Sequence, residues 1–231
     1  VTAWLASITD VAEARQVLTA GAAIVDAKNP HAGALGALPH DTVRAIVAVV
    51  GGRVPVSATI GDFPDMNPAA VAAAVAAMAA TGVDFVKIGL LPSPTLADCL
   101  DALVPLARRH RLVAVLFADR EPDFKLIERL AERDFTGVML DTADKAGGGL
   151  LAYQPVARLA QFVAQAKGAG LLSGLAGSLK LADISVLAPI GADYLGFRGA
   201  LCRNHARTWA LDPGALAALS EAMGRAAVQG A

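Results

Sequence analysis

Eight short apolar runs recur along this chain of 231 residues, each followed by a stretch of helical character. The runs are Thr2–Ile8, Ala22–Lys28, Val54–Ile60, Asp84–Leu90, Leu112–Ala118, Gly137–Thr142, Leu171–Gly177 and Tyr194–Gly199. Helix-like segments stand at Asp10–Thr19, Pro39–Val50, Ala69–Ala80, Thr95–His110, Asp123–Arg133, Tyr153–Lys167, Leu179–Leu187 and Pro213–Ala227. Asp10 reads as a cap, and Asn67-Pro68 as a cap with proline at the first helical position. Strands alternating with helices at this spacing predict parallel βαβ units. Eight units in a chain of this length predict an α/β protein, a (β/α)8 TIM barrel with one domain over residues 1–231. An open doubly wound sheet is the alternative, but it would rarely use eight strands of so regular a period. No linker or low-complexity stretch divides the chain.

Apolar residues make up 55% and charged residues 18%, which provides a sizeable core and argues against disorder. The net charge of −1 speaks against an electrostatic nucleic-acid or membrane surface. Mean hydropathy is +0.51, yet no apolar run approaches the roughly 20 residues of a spanning helix. Val1–Ile8 has no basic start and no cleavage site, so no signal peptide is expected. Cys99 and Cys202 fit no paired spacing and read as reduced thiols of a cytoplasmic protein. His31, His40, His110 and His205 form no ligand group, so no metal site is expected. The apolar helix Ala69–Ala80 suggests a homo-oligomer, although a helix packed on its own sheet would read the same way.

Active sites of such barrels lie at the C-terminal ends of the strands, so candidate residues are read there. Lys28 ends one apolar run and Lys87 sits inside another, where an ammonium is costly unless paired or used. Asp26 shares the face of Lys28, because side chains alternate along a strand. The third strand runs into Gly61-Asp62 and the fifth into Asp119. The sixth carries Asp141, with Lys145 in its loop; the seventh ends in Gly177-Ser178 and the eighth in Arg198-Gly199. The opposite strand ends lack a comparable set. That asymmetry points to an enzyme.

Each residue also has a plainer reading. Asp62 and Asp119 are equally well caps or turn formers. Arg198 could be a structural ion-pair partner, Lys145 a solvated loop residue, and Asp26 with Lys28 a buried structural pair. The plainer reading is weakest for Lys87, whose surrounding run leaves its amine no route to bulk water.

An amine held among apolar walls and near another cation gives up its proton more readily and becomes a nucleophile. Lysine also forms Schiff bases with carbonyl substrates. Lys28 and Lys87 would divide the work, one bonding to a carbonyl and the other moving a proton. Asp26 and Asp141 would hold the amines and exchange protons with them. Gly177-Ser178 and Arg198-Gly199 occupy the places where barrels bind phosphate through backbone amides at a short helix N-terminus. Tight turns alone would also explain the two glycines. The loop Asn29–Gly36 could close over a ligand or merely connect, and His31 within it is expected at the surface.

Six segments then stand out in order: VDAKNPHAGALGA (Val25–Ala37), VSATIGDFP (Val56–Pro64), FVKIGL (Phe85–Leu90), MLDTADK (Met139–Lys145), LAGSL (Leu175–Leu179) and GFRGALC (Gly196–Cys202). Through them, nearly the whole chain resembles the (5-formylfuran-3-yl)methyl phosphate synthases of methanofuran biosynthesis. The resemblance implies a barrel acting like a class I aldolase. Such a lyase joins two molecules of glyceraldehyde 3-phosphate into a phosphorylated furan aldehyde, with loss of phosphate and water. It implies Lys28 in DAKNP as the Schiff-base lysine and Lys87 in VKIGL as the general acid/base. Asp26, Asp141 and Lys145 fall on further active-site positions of the family. A small-molecule triose phosphate is then the expected partner, and no metal or redox cofactor is required. The segment Ala118–Lys125 is shorter than the family pattern, and the loop Ala146–Leu150 is richer in glycine.

Two other readings remain on the residues alone. Orotidine-phosphate decarboxylase-like barrels also carry Asp-x-Lys on a strand, for proton delivery without a covalent intermediate. That reading explains Lys87 and Asp141 less well. A non-catalytic phosphate sensor would need Gly177-Ser178 and Arg198 but would have no reason to bury two lysines.

Overall fold

The structure is a computed structural model that describes residues 1–144 and 147–229. Lys145 therefore lies outside the described residues. Eight parallel strands close on themselves in chain order: β1 (Ala3–Ile8), β2 (Ile24–Ala27), β3 (Val56–Thr59), β4 (Phe85–Gly89), β5 (Arg111–Phe117), β6 (Gly137–Asp141), β7 (Leu172–Leu175) and β8 (Tyr194–Phe197). β8 returns to pair with β1, which completes the barrel. Most strands are shorter than the apolar runs predict, because periodicity registers which residues are buried and not where the hydrogen-bonded ladder ends. Lys28 thus stands one residue beyond β2, its amide still donating to the Ile8 carbonyl at 3.0 Å.

The helices follow their capping chemistry. Asp10 accepts from the Glu13 amide at 2.9 Å and opens α1 (Val11–Thr19). Then come α2 (His40–Val50) and α3 (Pro68–Ala79), the latter capped by Asn67 with Pro68 at its start. α3 sets its buried Val71, Val75 and Met78 into the outer core. α4 (Leu96–Ala107) and α5 (Leu126–Ala131) cover the middle of the sheet. The predicted helix Tyr153–Lys167 begins instead at Val156 as α7 (Val156–Gly168), after a separate short α6 (Leu150–Tyr153). Pro155 is the cause: it disfavours helical backbone at Gln154, which is extended (φ −127°, ψ 122°). The predicted Leu179–Leu187 is a 3-10 turn running into the short α8 (Ile184–Leu187), and α9 (Pro213–Gln229) ends the described chain. Among the described residues no helix is long and apolar enough to cross a membrane.

Strand alternation sorts the apolar residues into two cores. Trp4, Ala6, Ile8, Val25, Ala27, Val56 and Ala58 belong to the layer between sheet and helices. Leu5, Val113, Val115, Phe117, Met139 and Tyr194 fill the barrel. The loop after β2 folds back into the barrel mouth. Asn29 N donates to Gly36 O at 2.8 Å, Thr59 Oγ1 to the same carbonyl at 2.9 Å, and Gly61 N to Leu35 O at 3.1 Å. Leu35, only 1% exposed, packs on Phe117 beside Gly89. A Cβ at Gly89 would lie 2.6 Å from Leu35 Cδ1, so glycine makes the space for this plug.

Candidate active site

One row of inward side chains crosses the first three strands. Register sets Ser7 of β1 beside Asp26 of β2, and Asp26 beside Ser57 of β3. The Asp26 carboxylate, wholly buried, accepts from Ser7 Oγ at 2.7 Å and Ser57 Oγ at 2.6 Å. It also pairs with Lys87 Nζ of β4 at 2.7 Å. Burial alone would push this carboxyl up. Lys87 and Lys28, together with the hydrogen bonds from Lys87 and Ser57, outweigh burial and hold it below the usual range. Burial pushes the Lys87 ammonium down from the usual lysine range against the pull of Asp26, and Lys28 acts in the same sense as burial.

The expected neighbourhood of Asp26 and Lys28 resolves into separate partners. Lys28 pairs with Asp141 of β6 at 3.2 Å, and it is the more accessible lysine, 11% exposed against 3% for Lys87. The reason is geometric. Two residues along a strand advance about 6.6 Å at the usual rise, so Lys28 stands one layer nearer the mouth than Asp26. Asp141 also accepts from the Thr142 amide at 2.8 Å, which turns the chain as it leaves β6. Asp119, after β5, accepts from the Ala143 and Asp144 amides, each at 2.8 Å, and so anchors the start of the loop that follows β6. Asp62 and His31 are exposed.

A cavity of about 740 Å³ opens above this floor, within the usual range for a small-molecule site. Ser7, Asp26, Lys28, Lys87 and Asp141 form its polar base, with Leu5 and Met139 as apolar wall. The loops after β7 and β8 complete it. Gly177 there has φ 114°, and a Cβ would press within 2.9 Å of the Thr142 methyl group. Ser178 is left-handed at φ 48°. Among the described residues the amides of Gly177, Ser178 and Gly199 donate to no protein acceptor. Unsatisfied amides at a barrel mouth suit an anion.

Arg198 departs from its expected role in phosphate binding. Its Nη1 donates to Glu13 Oε2 at 2.5 Å and to Ser7 O at 3.1 Å. Nη2 reaches Glu13 Oε1 at 3.2 Å and Trp209 O at 3.0 Å, and Nε reaches Arg207 O at 2.8 Å. Every N–H of the guanidinium has a protein acceptor, which leaves none for a phosphate. The cause is Glu13, whose buried carboxylate in the first turn of α1 requires a cation. Sequence reasoning missed Glu13, Ser7, Ser57 and Arg207, the last of which also lines the cavity. The two serines carried a usable signal, since each is a hydroxyl on an inward position of an apolar strand.

Comparison with known proteins adds to this geometry. The family model described as 4-HFC-P synthase matches residues 4–220. The (5-formylfuran-3-yl)methyl phosphate synthase of Methanosarcina mazei is 37% identical over 194 residues, covering 79% of this chain and 82% of that protein. Its namesake from Methanocaldococcus jannaschii is 35% identical over 214 residues, covering 87% and 90%. A Methylorubrum extorquens protein that carries the same description provisionally is 48% identical over 219 residues, covering 95% and 90%. Among solved structures, 3-hexulose-6-phosphate synthase from Salmonella typhimurium superposes with a TM-score of 0.66 at 14% identity over the full length of both chains. Phosphoribosyl anthranilate isomerase from Thermus thermophilus gives 0.68 at 14% identity, covering 96% and 98%. These structural likenesses bear on the barrel alone.

Proposed function

Because the chain belongs to the 4-HFC-P synthase family, we propose that it is an aldolase-like lyase joining two molecules of glyceraldehyde 3-phosphate through a Schiff base on Lys28. The product would be (5-formylfuran-3-yl)methyl phosphate, formed with loss of phosphate and water for methanofuran-type cofactor biosynthesis. The observation that carries this reading is the Lys28–Asp141 pair at the cavity floor, with the Asp26–Lys87 pair buried beneath it.

Asp141 takes a proton from the Lys28 ammonium, and the neutral amine adds to the triose phosphate carbonyl. Loss of water gives an iminium, and loss of a proton from the adjacent carbon gives an enamine. Lys87, its ammonium weakened by burial, receives and returns that proton. The enamine attacks the second aldehyde. Ring closure by a hydroxyl onto the iminium carbon with expulsion of the Lys28 amine, loss of water and β-elimination of one phosphate then yield the aromatic furan. Backbone amides of Gly177, Ser178 and Gly199 hold a substrate phosphate. The role of Lys145, implied by the family motif, stays part of this proposal.

Borohydride reduction in the presence of glyceraldehyde 3-phosphate, followed by intact mass and peptide mapping, tests the reading. An adduct on Lys28 is expected. Lys28→Ala and Lys28→Arg should give neither adduct nor furan, since a guanidinium does not form the imine. Full turnover by either variant, or a wild-type protein that turns over without any trappable adduct, would overturn it.

A further inference from the structure

A second arginine reaches the barrel mouth with its donors largely unspent. Arg207 lies between β8 and α9, is half-buried, and lines the cavity that holds Lys28, Lys87 and Asp141. Among the described residues its side chain makes one hydrogen bond, from Nη2 to the Gly33 carbonyl at 2.9 Å, and no ion pair within 4.0 Å. The contrast with Arg198, whose N–H groups are all engaged, is complete.

The fold delivers Arg207 to this place. Asn204 and His205, just before it, hold left-handed backbone at φ 53° and 54°, unfavourable for residues with a Cβ. Arg198 then grips the following chain through the Arg207 and Trp209 carbonyls. The buried Arg198–Glu13 pair is thus the post from which Arg207 extends over the cavity.

The direction of that extension matters. The open amides of Gly177, Ser178 and Gly199 lie on the β7–β8 side. Arg207 reaches Gly33 in the loop after β2, facing the carboxylate of Asp141 across the cavity and, less strongly, that of Asp62. The proposed condensation brings two phosphate dianions into one cavity, and a single cluster of amides would hold both only against strong mutual repulsion. Resting on that reading, we propose that Arg207 is a substrate-binding residue that takes the phosphate of the second triose phosphate, while the backbone amides take the first. A guanidinium suits the task because its planar fork matches phosphate oxygens in a bidentate contact.

Titration of the resting protein with inorganic phosphate, followed by calorimetry, tests Arg207 without any chemistry on Lys28. The wild-type chain should bind two phosphate ions, Arg207→Gln one, and Arg207→Lys two with the second weakened. In kinetics, Arg207→Gln should raise KM for glyceraldehyde 3-phosphate about tenfold or more. A single-turnover borohydride adduct on Lys28 should persist in this variant. One phosphate on the wild type, or two bound equally well by Arg207→Gln, would overturn the assignment. Should the wild type give no adduct at all, the Schiff-base reading fails while the phosphate stoichiometry still decides Arg207.

Discussion

Asp26 and Lys28 stand two positions apart, and each is paired elsewhere: Asp26 with Lys87 at 2.7 Å, and Lys28 with Asp141 at 3.2 Å. The result is two ion pairs at different depths of one cavity. The upper pair is the more accessible, and the lower pair lies deeper in the cavity base among serine hydroxyls. Such a division allows one amine to bond and the other to move protons.

Asp141→Asn removes the acceptor nearest the Lys28 amine. Formation of the borohydride-trappable adduct should slow by roughly 10²- to 10⁴-fold, the usual contribution of a positioned acid–base group. Rapid-quench trapping followed by mass measurement reads the rate directly. An unslowed adduct would remove Asp141 from the proton path.

Lys87→Ala separates the two amines. The variant should still acquire an adduct on Lys28, more slowly because loss of water from the carbinolamine also needs an acid, and should release no ultraviolet-absorbing furan. Mapping the adduct in the wild type supplies the converse test. A label on Lys87 with Lys28 free would exchange their roles.

Arg198→Ala should act first on stability. It strands the Glu13 carboxylate, whose side chain is 8% exposed, and breaking a buried pair in this way costs about 3–5 kcal/mol. Urea unfolding should show a lower midpoint at unchanged slope. A variant as stable as the wild type would mean that the pair contributes nothing to the fold.

The buried Asp26 carboxyl sets an acid limit. Its folded-state pKa lies below the ordinary 3.8, so its contribution is fully present above that value and is lost as pH falls through the lowered one. Lys87 gives a slope of the same sign in the alkaline range. Its folded pKa is below 10.5, so the unfolded chain binds more protons in that window and stability rises with pH there. The stability gap between wild type and Asp26→Asn should therefore be widest near neutrality and shrink only in strong acid. A gap that stays constant from neutrality down to strong acid would contradict the lowered carboxyl.

Legibility in the sequence follows the range of the forces involved. Alternation of apolar runs, the Asp10 cap and the Asn67-Pro68 start act over a few residues and were all readable. So was the gathering of Asp26, Lys28, Lys87 and Asp141 at one end of a barrel, since strand ends declare it. Partnership was not readable. Lys28 finds Asp141 across 113 positions, and Arg198 finds Glu13 across 185, and no local pattern distinguishes an arginine awaiting phosphate from one already neutralised. Arg207 escaped for a related reason, because its placement depends on left-handed backbone at residues that are not glycine.

The plug formed by Leu35 has a stereochemical consequence. It fills the mouth on the side of Phe117 and Gly89, whereas the open cavity is walled by β1, β6, the loops after β7 and β8, and α9. In the proposed reaction an enamine on Lys28 would be planar with two faces, and the plug would stand on the side away from the open cavity. The second aldehyde would then approach from the open cavity. The new carbon–carbon bond would then form with one handedness, which the aromatic ring afterwards erases.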